Sequence, residues 1–88
     1  MINISFTHNG TDYHRITKAI ARKAYNAGKT ILLAPCKMNP NSIWFASARI
    51  SSKIPECGDF DKEVNAYEYF TSCYNSQFGR YAAYYIAQ

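Results

Sequence analysis

Residues 2–35 read INISFTHNGTDYHRITKAIARKAYNAGKTILLAP, and the changes of period inside this stretch decide the fold class. Ile2, Ile4 and Phe6 alternate with Asn3, Ser5 and Thr7, the period of a half-buried strand. Asn9-Gly10 is a turn pair that ends it. From about Thr11 the spacing becomes helical: Tyr13, Ile16, Ile20, Ala24 and Ala27 share one side, and Arg15, Lys18 and Arg22 the other. Gly28 offers the left-handed position that stops a helix. Thr30 to Pro35 is a short apolar run of the kind an interior strand needs, and Pro35, with no N–H for a ladder, bounds it.

Outward from this stretch the pattern repeats. Lys37 to Ser42, with Pro40 between two asparagines, reads as a loop. Ile43 to Ile50 alternates again, with Trp44, Ala46, Ala48 and Ile50 facing one way and Ile43, Phe45, Ser47 and Arg49 the other. The two apolar runs therefore read as a hairpin. Ser51 to Gly58, containing Pro55, is a loop. Asp59 is suited to an N-cap, with Asp61 and Glu63 in the first turn, where the helix dipole favours acids. Phe60, Val64, Tyr67 and Thr71, with Phe70 and Tyr74 at the margin, form the inward face of a second helix. After a connection over 73–79, Arg80 to Gln88 alternates as a last strand, Tyr81, Ala83 and Tyr85 opposite Ala82, Tyr84 and Ile86. This order predicts a single-domain α+β two-layer sandwich over residues 1–88, a ferredoxin-like βαββαβ fold with a four-stranded antiparallel sheet and two helices on one face. The other sheet face is then open to water or a partner. A meander with the helices at one end is the alternative.

Size and composition narrow the function classes. With 88 residues one domain is expected, with no room for the core of another, and 48% hydrophobic with 18% charged residues is a globular composition. No apolar run approaches the ~20 residues of a membrane span, and the first residues lack the basic head and apolar stretch of a signal peptide. The three cysteines, Cys36, Cys57 and Cys73, are odd in number and widely spaced. They are expected to be free thiols in a reduced, cytoplasmic setting. No paired spacing of Cys or His suggests zinc, and no cofactor is implied.

The net charge of +4 is unevenly laid out. Residues 1–53 hold eight Lys/Arg and one acid, Asp12, giving +7; residues 54–88 hold two basic residues and five acids, giving −3. Arg15, Lys18 and Arg22, three and four apart, would lie side by side on the expected helix, with Lys29 and Lys37 extending the stripe. Such a stripe suits phosphates or an acidic protein surface, and the solvated back of an amphipathic helix is the plainer reading. Nine of fourteen aromatics fall in 60–88, most of them suited to core. Tyr69, opposite Phe60 and Val64, is placed for contact. An RNA recognition motif would stack bases on aromatics of its central strands. Phe6 and Phe45 could imitate that platform, but the glycine-containing motif of that module is absent. His8 and His14 could approach each other across the turn. The closest acids, Asp59, Asp61 and Glu63, are accounted for by helix capping, so no catalytic set is found and an enzyme is not expected.

GKTILLAPCKMNPNSIW (28–44), followed by FDKEVNAYEYF (60–70) and GRYAAYYI (79–86), resembles a group of small uncharacterised proteins carried by bacteriophages and other mobile elements. The resemblance implies a non-enzymatic protein that binds and inhibits a host defence complex, as anti-CRISPR proteins do. Many of those are acidic mimics of nucleic acid, and this basic chain departs from them. It would more naturally meet an acidic protein patch or shield a nucleic-acid route than mimic DNA. A small basic nucleic-acid-binding module is the alternative. The expected partner is a host protein or nucleoprotein complex in the host cytoplasm, with nucleic acid reached through the basic patch. The residues expected to make contact are Arg15, Lys18, Arg22, Lys29, Lys37 and Tyr69.

Overall fold

The computed structural model describes residues 5–39, 42–74 and 81–87. Ile2, Asn3, Ile4, Pro40, Arg80 and the connection over 75–79 lie outside the described residues, as do the side chains of Phe45, Thr71, Cys73 and Tyr74. The elements run β1 (Ser5–His8), β2 (Thr11–Ile16), α1 (Lys18–Asn26), β3 (Ile31–Pro35), a 3-10 turn (Ile43–Phe45), β4 (Ala48–Ile50), α2 (Phe60–Tyr74) and β5 (Ala82–Ala87). One antiparallel sheet of five strands results, in the order β1-β2-β5-β3-β4. The α+β architecture with two helices is as expected, and the strand count and order are not. The βαββαβ run exists, but it is β2-α1-β3-β4-α2-β5, displaced one strand along the chain. A ferredoxin-like sheet centres the first and third strands of that run; here the second and the last occupy the middle.

Residues 11–16 account for the displacement. Asn9 and Gly10 both take positive φ, 50° and 81°, the mark of a two-residue type I′ hairpin turn. The chain therefore doubles back, pairing His8 with Thr11 and Ser5 with His14. Only after Ile16 does a helix begin, capped by Thr17, whose hydroxyl accepts from the Ile20 amide at 3.2 Å. Tyr13 and Ile16 belong to a strand, so they cannot set the helix phase. The buried side of α1 is Ala21 and Tyr25, while Ile20 is 51% exposed. Ile20 thus stands outside the core it was expected to join, and Ile20→Ala should change unfolding free energy by less than about 0.5 kcal/mol in urea titration. A cost of several kcal/mol would return it to the core.

The end of α1 and the start of α2 follow the sequence closely. Gly28 at φ 88° donates to the Tyr25 carbonyl, and the Lys29 amide reaches back to the Ala24 carbonyl, together a Schellman termination. A Cβ at Gly28 would sit 2.8 Å from Cε of Lys53, whose amine arm lies over this helix end, where a cation is favoured. Asp59 accepts from the Lys62 amide at 2.8 Å, and Glu63 accepts from the Gly58 amide at 2.9 Å, satisfying donors that a helix start leaves over.

β3, ILLAP, is buried at every residue, because both sheet faces are covered. Ile31, Leu33, Ile50, Ala82 and Tyr84 meet Ala21 and Tyr25 of α1 and Phe60, Val64 and Tyr67 of α2, so both helices pack on one face. The opposite face, expected to be open, carries a second core: Tyr13, Leu32, Ala34, Ala83 and Tyr85, covered by Met38 and Ile43, with Phe6, Cys36, Trp44 and Ala46 against them. The cover comes from the β3–β4 connection. Ile43 to Phe45 coil into a 3-10 turn, closed by Ala46 N–H to the Ile43 carbonyl and the Ser47 hydroxyl to the Trp44 carbonyl. Hence the expected strand over 43–50 shrinks to Ala48–Ile50. The hairpin with β3 remains, in the register Ile31 to Ile50 and Leu33 to Ala48. Trp44 and Ile50, expected on one face, serve opposite cores.

Candidate interaction surface

Strand alternation and helix phase disperse the six residues singled out from the sequence. Arg15 is on β2, not on a helix, and pairs across from Tyr85 on the face away from the helices. Lys18 is exposed at the first residue of α1, and Lys29 is exposed beyond its last turn. Lys37 is exposed in the turn after β3. Arg22 faces α2, where its guanidinium bonds Asp61 at 2.6 Å and lies 5.4 Å from the Phe60 ring centre. Both partners of that pair remain half exposed, which limits it to less than about 1 kcal/mol. A side-by-side stripe of Arg15, Lys18 and Arg22 does not form. Tyr69, on α2, is 75% exposed.

What the fold does gather is a ring cluster that the sequence reading did not single out. Phe6 stacks on Tyr13 with centres 5.4 Å apart and meets Tyr85 and Trp44 edge-on. Trp44 lies flat on His8, centres 3.7 Å apart at 21°, and Arg49 brings its guanidinium within 5.6 Å of the same indole. Phe6 is therefore packed among rings and is not laid out as an open stacking platform. The histidines sit on opposite faces of the β1–β2 ribbon: His8 under Trp44, and His14 on the helix side, its Nδ1 buried with no hydrogen-bond partner among the described residues. Nothing in the spacing of His8, Trp44 and Arg49 advertises the stack, which exists only because the 3-10 turn folds Trp44 over the sheet.

Cys36 and Cys57 are free thiols, half-buried against the two different cores. No three His, Cys, Asp or Glu side chains among the described residues are placed to hold a metal ion, and no helix among them is long and apolar enough to cross a membrane. Tyr25, Tyr67, Tyr84 and Tyr85 all have their phenols raised above the ordinary value of 10.0, burial being the largest cause in each. Tyr84 is pushed up to about 12, with Glu68 adding to burial, Arg22 opposing and Asp61 adding. A phenol held protonated more tightly in the folded chain contributes its full stability below the unfolded value and loses it as pH rises through the folded one. Alkaline difference absorbance should show these four phenols still protonated at about pH 10 while native circular dichroism persists, with Tyr84 ionising only toward about 12. Their ionisation with the native signal intact near pH 10 would contradict the burial.

Searches against family models, curated proteins and solved structures gave no match. The residues themselves carry the functional reading.

Proposed function

We propose that this chain is a non-enzymatic binding protein of a phage or mobile element that docks on and inhibits a host defence complex, in the manner of anti-CRISPR proteins. The observation in its favour is the exposure of large apolar side chains on the helix layer and at the entry to β5. Tyr69 is 75% exposed, Tyr81 67%, Phe70 57% and Ile20 51%. Glu68 ties two of these sites together, because its carboxylate accepts the Ala82 amide at 2.8 Å. The backbone next to Tyr69 is thereby fixed against the backbone next to Tyr81. Large aromatics on a fixed backbone have the composition of contact anchors.

Expression of the chain in bacterial strains carrying defined CRISPR effectors, challenged with matched phage, tests this reading. Restored plaque formation is expected with at least one effector, and Tyr69→Ala should weaken it while the purified variant keeps the native circular dichroism. Failure to protect phage against any effector sinks the inhibitor reading. The nucleic-acid alternative predicts affinity for generic DNA or RNA that falls along a log–log salt slope of about −0.7 to −0.9 per phosphate contacted. Steep binding of that kind by the chain alone would replace the inhibitor with that module.

A further inference from the structure

The face turned away from the helices has a charge of one sign. Cross-strand register puts Arg15 of β2, Tyr85 of β5, Leu32 of β3 and Arg49 of β4 on one row. Tyr85 and Leu32 are buried in the second core, so the row ends in an arginine at each side, about 14 Å apart at three strand spacings. Lys37 is exposed in the connection that crosses this face, between Cys36 and Met38, which pack onto it. The acids are elsewhere. Five of the six lie between Glu56 and Glu68, in α2 and the turn leading into it. The sixth, Asp12, alternates with Tyr13 to the helix side and accepts the Thr7 hydroxyl there.

We infer that this face, Arg15, Lys37 and Arg49 around the half-buried Trp44, is a docking surface for an acidic protein surface. The inference rests on the reading that the chain acts by binding a protein. Charge complementarity selects the partner's sign, and a tryptophan beside arginines is the composition of an interface centre. The same geometry disfavours a nucleic-acid strand. One side of the indole is laid on His8 and the guanidinium of Arg49 approaches the ring, which leaves little of the π-face for a base to stack on. The arginines stand at the two ends of a row instead of tracking a phosphate line.

Trp44 is the only tryptophan of the chain, so its emission reports on this face alone. Poly-L-glutamate, titrated at about 50 mM salt where surface charges are weakly screened, should shift that emission. The double variant Arg15→Ala/Arg49→Ala should bind it at least about tenfold more weakly. Lys23→Ala/Lys62→Ala, which removes the same charge from exposed positions on the two helices, should stay within about twofold of the parent. Should the double arginine variant lose its native near-ultraviolet signal, Arg15→Gln alone carries the test, because it leaves the Arg49–Trp44 contact in place. No binding of poly-L-glutamate by the parent, or equal loss in the two charge-matched variants, overturns the proposal. So does tighter, arginine-dependent binding of single-stranded oligothymidylate. Phage protection that is abolished by Tyr69→Ala yet untouched by the arginine variants would keep the inhibitor and discard this surface.

Discussion

Tyr25→Ala is expected to lower the unfolding free energy by about 3–5 kcal/mol, the range for deleting a large buried ring. For a domain whose total stability is on the order of 5–15 kcal/mol, that is a large share. Tyr25 is 2% exposed, and its ring meets Phe60 edge-on with centres 5.6 Å apart. Its hydroxyl donates to the Gly58 carbonyl at 2.6 Å, so one side chain joins α1 to both the start of α2 and the turn before it. Tyr25→Phe separates the contributions: it keeps the ring and removes only the hydrogen bond, at about 1 kcal/mol plus the cost of the carbonyl left unpaired. Equilibrium urea unfolding of the two variants reads the difference. Equal, small effects would mean that the helices are not joined through this residue.

Ile43→Ala should cost about 2–5 kcal/mol, although Ile43 reads locally as the start of a strand. Its side chain is fully buried beneath the 3-10 turn, against the core that includes Leu32, Ala34 and Tyr85. Shortening it leaves a void under the cover, and the neighbouring rings are already packed against one another, which limits collapse. Emission from Trp44 should shift toward that of a solvated indole in the same variant, at denaturant concentrations below the main transition. A cost under about 0.5 kcal/mol, the size of an ordinary surface change, would show that the connection contributes no core.

The parts of this fold that were legible in the sequence are those fixed by local chemistry. Gly28 terminates α1, Asp59 and Glu63 start α2, and the run ILLAP becomes a strand buried on both sides. Each follows from a backbone or solvation demand that neighbours in the chain satisfy. The misplaced parts share a different cause. Tyr13, Ile16 and Ile20 fit a helical spacing by coincidence, and the stronger local signal was Asn9-Gly10, whose two positive φ values turn the chain back into a second strand. A two-residue turn of this composition with alternating residues on both sides is a hairpin signal, and Thr11, Tyr13 and Arg15 do alternate with Asp12, His14 and Ile16. Trp44 could not be placed from its neighbours. The alternation of 43–50 is genuine, but the uncovered apolar face formed by Leu32, Ala34, Ala83 and Tyr85 draws the first half of that run over itself, and that face exists only once distant strands have paired. The contact residues scattered for the same reason: a charge stripe read along a chain survives only if the period assigned to it is right.

The position of β5 has a consequence for how the molecule comes into being. β1 and β2 form a ribbon closed by the Asn9-Gly10 turn, and β3 and β4 a ribbon closed by the longer connection over 36–47, so neither pairing needs a later part of the chain. Neither ribbon pairs with the other; β5 alone bonds to both, matching Ile16 with Tyr84 on one flank and Leu33 with the same Tyr84 on the other. A ribosome-bound chain that has not yet exposed residues 82–87 therefore holds two half-sheets with facing, unsatisfied edges and no means of joining them. Sheet closure is a late, long-range event, of the slow class that high sequence separation imposes. Until it happens, the exposed edges are open to pairing with other chains, so the yield of folded protein depends on how quickly one six-residue segment finds its slot.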